Sequence, residues 1–272
     1  MPANIAIVRS CLISLLCLIL VLPAPAVADF NPEQPTVLIT GSNRGIGLEF
    51  VRQYAALGWN IIATCRRPAE ADILNSLAQE YPRIQVEQLD VLRHDMIDAL
   101  ARKYKKQPID VLLNNAGFFG DNLQLAGSFF GRLNYDLWDL YVQTNAIGPL
   151  KMAEAFFDNV KMGQQKKIMT VSSLQGSIEG SYGEGSFFYR GSKAALNMFL
   201  HTLSGQTKVK KSAVMIGLFS PGLVVDERTE GLQLDGKVER PVSVRGMIGV
   251  IRDFTPEMSG GFYKYSGETV PW

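Results

Sequence analysis

The chain of 272 residues contains little cysteine and little histidine. Two of its three cysteines, Cys11 and Cys17, lie in the first 28 residues, so the rest of the chain has only Cys65. A single cysteine cannot form an internal disulfide, which excludes a disulfide-stapled fold for that part. The two histidines, His94 and His201, are far apart in the sequence and show no zinc-binding spacing. We therefore predict no metal site.

The sequence also lacks an excess of charge of one sign. It has 27 Lys and Arg residues against 26 Asp and Glu residues, a formal net charge of +1. Nucleic-acid-binding domains usually carry a clustered basic face, and this balance gives no indication of one. We expect a small-molecule substrate and no nucleic-acid partner. Composition leaves a monomer and a homodimer equally open.

Long hydrophobic runs are scarce as well. The apolar run Cys11–Leu22 has 12 residues, whereas a membrane-spanning helix needs about 20. Arg9 precedes this run and small residues ending at Ala28 follow it, an order typical of a secretory signal peptide. We predict that residues 1–28 are such a signal, that residues 29–35 are a spacer, and that the protein is exported with no stable membrane span after cleavage. An uncleaved N-terminal anchor and a cytoplasmic protein are the alternatives.

From residue 36 to residue 272, strand-like and helix-like segments alternate. Short apolar, β-branched runs predict strands at Thr36–Thr40, Asn60–Thr64, Ile84–Leu89, Ile109–Leu113, Lys167–Val171, Ala213–Phe219 and Gly261–Tyr265. Amphipathic stretches predict helices at Leu48–Leu57, Pro68–Tyr81, Asp95–Tyr104, Trp138–Phe157, Phe187–Leu203 and Val242–Ile251. This alternation predicts an α/β fold of one domain, a Rossmann-type doubly wound parallel sheet of about seven strands with helices on both faces.

A glycine-rich turn joins the first predicted strand to the first predicted helix. Glycine lets the backbone approach a pyrophosphate closely, and the N-terminus of a helix attracts an anion. The position of this turn, between a strand and a helix, predicts a dinucleotide-binding site. The predicted contacts are Gly41, Asn43, Arg44, Gly45, Ile46 and Gly47.

The second and third strands indicate which dinucleotide binds. NAD-binding domains usually have an acidic residue after the second strand, whereas arginine accommodates the 2′-phosphate of NADP. Here Arg66 follows that strand and Arg44 lies in the glycine loop, so we predict NADP(H) as cofactor. A solvated surface pair of Arg66 and Arg67 is the alternative interpretation. Asp90, with Val91 beside it, follows the third strand and is expected to accept a hydrogen bond from the adenine amino group.

The fourth strand is followed by Asn115, Ala116 and Gly117. Small residues at this position leave room for a cofactor, while the amide side chain can tie neighbouring backbone segments together. Both a cofactor-contacting and an architectural role stay open.

Tyr189 and Lys193 are the candidate acid–base pair. Residues four apart lie on one face of a helix, so the two side chains are neighbours. An ammonium group beside a phenol favours the phenolate and lowers its pKa from near 10 toward neutrality, where acid–base catalysis is efficient. Ser173 follows the fifth strand, and Ser172 and Ser177 are nearby alternatives to it.

Together these motifs resemble the short-chain dehydrogenase/reductase family over essentially all of Thr36–Trp272. The matching residues are Thr40-Gly41-x-x-x-Gly45-x-Gly47, Asn114-Asn115-Ala116-Gly117, Asn145, Ser173, Tyr189-x-x-x-Lys193 and Pro221-Gly222. Two further segments are similar to the carbonyl-reductase-like branch that includes the Sniffer and C-factor proteins. They are Asn43–Glu49 and the ending from Ser259–Phe262 through Pro271-Trp272.

The resemblance implies a role for each catalytic residue. Tyr189 would exchange a proton with the substrate, and Lys193 would lower the pKa of Tyr189 and contact the nicotinamide ribose. Ser173 would hold the carbonyl oxygen, and Asn145 would anchor a water relay behind Lys193. The implied reaction is the NADP(H)-dependent interconversion of a carbonyl and a secondary alcohol by hydride transfer.

One position departs from the family pattern. Pro221 and Gly222 would contact the cofactor, and family members commonly have a threonine four residues beyond this glycine, where this chain has Asp226. A carboxylate near a pyrophosphate is repelled, so we expect a displaced loop or a reduced cofactor affinity. A non-catalytic NADP(H)-binding or signalling protein that keeps the fold is therefore the alternative function. A sugar-nucleotide epimerase is disfavoured because the chain has no room for its additional substrate domain.

Overall fold

Seven parallel strands form the centre of the fold in a computed structural model, which describes residues 30–120, 128–180, 183, 185–225 and 236–272. The strands of this sheet are β1 Thr36–Thr40, β2 Asn60–Cys65, β3 Ile84–Gln88, β4 Val111–Asn114, β5 Lys167–Val171, β6 Met215–Ser220 and, later in the chain, β9 Phe262–Lys264. The predicted signal peptide and Asp226 lie outside the described residues.

The order of the strands across the sheet is β3-β2-β1-β4-β5-β6-β9, and every pair is parallel. The chain runs outward from β1 to β3, returns to the other side of β1, and then runs outward again. The reversal between β1 and β4 opens a crevice at the carboxyl edge, the side of the sheet where the strands end. The predicted doubly wound, single-domain fold is confirmed.

Helices cover both faces of the sheet. They are α1 Gly45–Ala56, α2 Asp72–Glu80, α3 His94–Lys103, α4 Trp138–Val142, α5 Gly148–Ala155, α6 Phe157–Met162, α7 Phe187–Val209 and α8 Arg240–Arg252. On one face, α1, α2 and α8 bury a cluster that includes Phe50, Leu74 and Met247. On the other face, α3, α5 and α7 bury a cluster that includes Met152 and Leu200. Every residue of β1, β2, β4 and β5 is buried between these layers, which explains their continuous apolar sequences.

The prediction of one continuous helix over Trp138–Phe157 is wrong. A π-helical turn, Gln143–Ile147, separates α4 from α5, and Phe156 separates α5 from α6. Pro149 has no N–H group, so the carbonyl group of Asn145 cannot accept the usual bond from the residue four positions later. The wider turn is therefore located where the sequence removes an α-helical hydrogen bond.

Two short segments complete the carboxyl edge near the end of the chain. β7 Leu223–Val224 and β8 Lys237–Val238 pair in parallel on either side of residues 226–235. After β9 the chain turns back, and the N–H of Val270 donates to Phe262 O at 2.7 Å. We call residues 270–272 the C-terminal strap.

Among the described helices, none has both the length and the apolar composition that crossing a bilayer requires.

Candidate active site

The glycine loop is built by the close approach of β1 and α1. Gly41 has a φ of +69°, a conformation that side chains other than glycine rarely adopt. A Cβ on Gly47 would collide with the carbonyl oxygen of Gly41. The side chain of Asn115 holds the turn from below, because its Nδ2 donates to Thr40 O at 2.9 Å and to Gly41 O at 3.1 Å. The loop therefore leaves open backbone at the N-terminus of α1, a suitable place for a pyrophosphate.

Two arginines flank this loop with uncommitted side chains. Arg44, just before α1, and Arg66, just after β2, are both exposed, and neither makes a side-chain hydrogen bond or ion pair with any residue that the structure describes. Arg67 differs, because its Nη1 lies 2.8 Å from a carboxylate oxygen of Glu70. Of the two arginines after β2, only Arg66 keeps its guanidinium free for an anionic ligand.

Asp90 and Val91 lie where the chain leaves β3, and they differ in orientation. One carboxylate oxygen of Asp90 accepts a hydrogen bond from the N–H of Leu92 at 3.0 Å, which fixes the side chain and leaves its other oxygen available. Val91 is 8% exposed and belongs to the core beside Gly148. A contact of Val91 with a cofactor would therefore involve its main chain.

The segment after β4 is tied to the end of β1. The main-chain N–H groups of Asn115 and Ala116 both donate to Thr40 Oγ1 at 3.0 Å. Together with the side-chain bonds of Asn115, this gives that residue an architectural role. Thr40 belongs to this arrangement and was not among the predicted site residues, although it is the first residue of the motif that carried the resemblance.

Asn145 is fully buried in the π-helical turn and connects two parts of the site. Its Oδ1 accepts from the N–H of Phe118 at 2.6 Å, and its Nδ2 donates to Phe118 O at 2.8 Å. The same Nδ2 donates to Ser192 Oγ at 2.9 Å. Asn145 thus links the chain after β4 to α7, and Ser192 is a second residue that the sequence interpretation missed.

Lys193 is a buried cation at the centre of the site. The side chain is 4% exposed, and Nζ donates to Val171 O at the end of β5, 3.0 Å away. Desolvation by burial lowers the pKa of Lys193 from 10.5 to about 8. A Cβ built on Gly117 would lie 3.7 Å from Nζ and 3.5 Å from Asn145 Oδ1, so the absence of a side chain at Gly117 leaves space beside the ammonium group.

Tyr189 lies one helical turn before Lys193 on α7, as its spacing predicted. The Nζ of Lys193 is 5.9 Å from the centroid of the Tyr189 ring, within the range of a cation–π contact. The ring of Phe119 meets the Tyr189 ring edge-on, with centroids 4.6 Å apart and an interplanar angle of 77°. The phenol is therefore held between an aromatic side chain and a buried cation.

The three candidate serines after β5 have different hydrogen bonds. Ser172 is buried and donates to Asn197 Oδ1 at 2.6 Å, and Ser177 donates to Pro271 O at 2.6 Å. Ser173 only accepts, from the main-chain N–H two residues later at 3.2 Å. Among the described residues, nothing receives the hydroxyl hydrogen of Ser173, so this serine can donate to a ligand. The geometry favours Ser173 over its two alternatives.

Gly176 lets the serine turn pack directly on α7. A Cβ there would lie 2.8 Å from Lys193 Cβ and 2.9 Å from the main-chain carbon of Lys193, closer than real side chains approach. The spacing Ser173-x-x-Gly176 therefore has a packing cause, which brings the serine next to the helix that carries Tyr189. Gly176 was not among the predicted site residues.

Pro221 and Gly222 follow β6 at the same edge. Gly222 has a φ of +80°, and a Cβ there would lie 3.0 Å from Val238 in β8. The carbonyl oxygen of Pro221 accepts from Ser243 Oγ at 2.6 Å, which fixes the turn against α8. The expected effect of Asp226 on cofactor binding stays a prediction.

Comparison with known proteins identifies the family of the chain. The family model described as short chain dehydrogenase matches residues 35–235. The chain is 36% identical to C-signal of Myxococcus xanthus over 165 residues, which cover 61% of this chain and 93% of that protein.

Two solved structures have the same fold over most of the chain. NADPH-bound carbonyl reductase from chicken fatty liver superimposes with a TM-score of 0.79 at 29% identity, covering 88% of this chain and 99% of that one. Carbonyl reductase Sniffer of D. melanogaster superimposes with a TM-score of 0.78 at 27% identity, covering 88% and 100%. With the family model matching most of its length, the chain is an oxidoreductase that belongs to the short-chain dehydrogenase family.

Proposed function

We propose that this protein is an NADP(H)-dependent oxidoreductase that interconverts a carbonyl compound and a secondary alcohol, with Tyr189 as the acid–base residue. One observation carries the proposal. A buried lysine, Lys193, is anchored to the end of β5 only two residues before Ser173, and Tyr189 lies one turn before that lysine. Two groups that can act on one substrate oxygen atom, Ser173 and Tyr189, therefore lie beside a buried cation at the carboxyl edge of the sheet.

The residues around this edge fit NADP(H). The open backbone at Gly41 and Gly47 accommodates a pyrophosphate, and the free side chains of Arg44 and Arg66 suit a 2′-phosphate. Lys193 uses one ammonium hydrogen for Val171 O, which leaves two hydrogens for ribose hydroxyls. When bound, NADPH supplies the hydride for the carbonyl carbon.

The residues of the chain handle the oxygen atom. In reduction, the hydroxyl of Ser173 donates a hydrogen bond to the carbonyl oxygen and orients it. As negative charge develops on that oxygen, the phenol of Tyr189 gives up its proton to it, and an alcohol results. The ammonium group of Lys193 stabilises the phenolate that this step leaves behind. In oxidation the same groups act in reverse.

A catalytic role accounts for the buried charge of Lys193, which a non-catalytic relative would not need. Burial of the Lys193 ammonium is unfavourable, which is why its pKa is lowered to about 8. A strongly perturbed cation in a crevice, with a phenol beside it, is typical of a functional site. We therefore favour the enzyme over a binding or signalling protein that keeps only the fold.

Replacing Tyr189 with phenylalanine tests the proposal. With a panel of carbonyl compounds and NADPH oxidation as the readout, Tyr189→Phe should lower kcat about 10²- to 10⁴-fold. NADPH binding, followed by fluorescence, should persist. Tyr135→Phe is the matched control, because this tyrosine is 73% exposed, and its rate should equal that of the wild type.

Two results would count against this mechanism. An unchanged rate in Tyr189→Phe would remove the phenol from the reaction. A wild-type protein that binds NADPH but turns over none of the carbonyls and alcohols would favour the non-catalytic alternative.

We also propose that the N-terminal 28 residues direct export. The observation behind it is the order of Arg9, a 12-residue apolar run and small residues ending at Ala28. Mass spectrometry of the purified protein should find an N-terminus at Asp29. A chain that keeps its first residues in the membrane fraction would support the anchor, and one that keeps them in the soluble fraction would support a cytoplasmic protein.

A further inference from the structure

The amino edge of the sheet, where the strands begin, has a charge that the whole sequence does not show. Helices that precede a strand run opposite to the strands, so the last turns of these helices and their connections to the next strands meet at this edge. Eleven of the 27 Lys and Arg residues lie in these connections: Arg83, Arg102, Lys103, Lys105, Lys106, Lys161, Lys166, Lys208, Lys210, Lys211 and Arg252. Five of the 26 acidic residues lie there: Glu33, Glu80, Asp110, Asp253 and Glu257.

Six of these cations are exposed and form no ion pair with a described carboxylate. They are Arg102, Lys105, Lys106, Lys161, Lys210 and Lys211, which we call the amino-edge patch. Of the acidic residues, Asp110 is buried and accepts hydrogen bonds from three main-chain N–H groups, and Asp253 is paired with Arg252. The other three, Glu33, Glu80 and Glu257, are exposed, so the six unpaired cations face three carboxylates and this edge keeps an excess of positive charge.

The patch is contiguous because its three parts precede neighbouring strands. The connections after α3, α6 and α7 lead into β4, β5 and β6, which lie side by side in the sheet. Asn159 of α6 donates to Tyr104 O at 2.7 Å and to Gln107 O at 2.9 Å, so the loops that carry Lys105 and Lys161 are joined. Strands are about 4.8 Å apart, so the origins of the three loops span only about 10 Å.

The N-terminal segment enters the fold beside the patch. Its first strand, β1, is the neighbour of β4, and the spacer before it is fixed by buried Asn60, which donates to Asn31 O at 2.8 Å and to Gln34 O at 2.9 Å. Phe30 packs against the core on the side of α3 and α7. Seven residues separate Phe30 from the apolar run that ends at Leu22. Fully extended, this stretch reaches about 28 Å at most.

We propose that the amino-edge patch docks on the surface of a membrane that contains anionic phospholipid. Before cleavage after Ala28, the 12-residue apolar run is too short for a stable span and is a weak hydrophobic anchor, whose hold on a membrane a basic patch strengthens; after cleavage, the patch alone supplies the attraction to anionic lipid. A patch next to the point where that run joins the domain supplies this second attraction. In this orientation the carboxyl edge, with Tyr189 and the cofactor loops, faces away from the lipid.

Complementing helix dipoles does not explain the whole patch. Cations in the last turn of a helix are stabilising, and Arg102 fits that role. The effect falls off beyond the last turn, however, and Lys105, Lys106, Lys210 and Lys211 lie after the ends of α3 and α7. These four lysines are exposed positive charges that the fold itself does not require.

Co-sedimentation of the full chain with vesicles tests the proposal. Vesicles of phosphatidylcholine with one quarter phosphatidylglycerol are compared with vesicles of phosphatidylcholine alone, at about 50 mM and about 500 mM NaCl. At low salt the wild type should bind the anionic vesicles at least tenfold more tightly, and high salt should abolish the difference. Substituting Gln for Lys105, Lys106, Lys210 and Lys211 together should also abolish it.

A matched control removes four cations from other faces of the molecule. Its positions, all changed to Gln, are Arg52, Lys151, Arg245 and Lys264. This control should keep the preference for anionic vesicles, and both variants should bind NADPH as the wild type does because none of the eight positions belongs to the cofactor loops.

Three outcomes would overturn the proposal. These are equal binding to both kinds of vesicle, an unchanged preference after loss of the four lysines, and an equal loss in the control variant. Tighter binding to a 20-base-pair DNA duplex than to the anionic vesicles would assign the patch to nucleic acid instead. None of these results bears on the reductase function, which the Tyr189→Phe test decides separately.

Discussion

At the scale of single residues, Lys193 connects catalysis with stability. Burial lowers the pKa of Lys193 to about 8, below its unfolded value of 10.5. The ammonium form is therefore lost as pH rises through about 8, and with it the charge that stabilises the Tyr189 phenolate. We expect kcat/KM for carbonyl reduction to fall as pH rises above about 8, measured as the rate of NADPH oxidation. A flat profile from pH 7 to pH 10 would contradict this role.

The same pKa shift affects stability with a definite sign. The folded state holds the Lys193 proton less tightly than the unfolded state does. Below pH 8, therefore, the burial of this charged group lowers the free energy of unfolding by its full amount. The penalty is relieved as pH rises from about 8 to 10.5. In Lys193→Met, which removes the buried charge, this pH-dependent contribution to stability should disappear along with activity. This variant therefore serves as the control for the pH dependence of the free energy of unfolding.

Substituting two neighbouring serines, Ser172 and Ser173, separates the role of a catalytic hydroxyl from that of a structural one. Ser173→Ala should lower kcat at least tenfold and change Tm less than Ser172→Ala does, because the Ser173 hydroxyl donates to no described residue and accepts a single hydrogen bond of 3.2 Å. Ser172→Ala should instead lower Tm, because the Oδ1 of buried Asn197 loses the hydrogen bond that Ser172 donates, a loss of about 1–3 kcal/mol. The two quantities are measured by steady-state kinetics and thermal unfolding. The reverse pattern would assign the substrate oxygen to Ser172.

Cofactor preference also depends on single side chains. Replacing Arg44 and Arg66 together with alanine should weaken NADPH binding at least tenfold and leave NADH binding nearly unchanged, as measured by fluorescence titration. Arg67→Ala is the matched control, because Arg67 is paired with Glu70. Equal affinities of the wild type for NADPH and NADH would contradict the assignment of these arginines.

At the scale of structural elements, the C-terminal strap supports the serine segment. The N–H of Glu179 donates to Trp272 O at 2.9 Å, and Ser177 donates to Pro271 O. The Trp272 ring stacks on Phe262 at 5.8 Å and meets the His201 ring of α7 at 4.8 Å. The strap thus fixes the chain between Ser173 and Tyr189 to the helix that carries Tyr189.

Removing the Trp272 ring should therefore change kinetics as well as stability. We expect Trp272→Ala to raise KM for the carbonyl several-fold with a smaller change in kcat, because the serine segment moves while Tyr189 and Lys193 stay on α7. Trp272→Phe keeps an aromatic ring and should restore most of the wild-type KM. A variant with lower Tm and unchanged KM would show that the strap only stabilises the fold.

The bounds of the elements also show how much of the secondary structure the sequence patterns predicted. Buried strands such as β1 and β5 were located to the residue, because a strand covered on both faces leaves a continuous apolar run. The break at Gln143–Ile147 was missed, although Gly148-Pro149 marks it. An apolar period continues across a π turn, so a pattern of buried residues does not show where a backbone hydrogen bond is absent.

At the scale of the whole molecule, the carboxyl edge gathers the ends of β1 through β6 into one ligand site. A cofactor that binds across these ends stabilises the folded state only. NADPH at about 100 times its Kd should add about 2.7 kcal/mol of stability, and so raise Tm by about 5–10 °C. Differential scanning fluorimetry with and without NADPH measures the shift. No shift at millimolar NADPH would contradict a cofactor site at this edge.

The sequence by itself determined the α/β architecture, the glycine loop and the pairing of Tyr189 with Lys193. These follow from local rules, since apolar runs make strands, glycine makes tight turns and residues four apart share a helical face. Tertiary structure decided which serine keeps a free hydroxyl and how strongly Lys193 is desolvated, because partners such as Asn197 are distant in sequence.

Tertiary structure also decided where the charges lie. The sequence has balanced charges and gave no indication of a basic face, yet the structure brings Lys105, Lys161 and Lys210 to one edge. In a parallel α/β fold every helix returns the chain to the same side of the sheet, so residues that follow different helices become neighbours. Composition averages over the two edges of the sheet, and only the folded chain separates them.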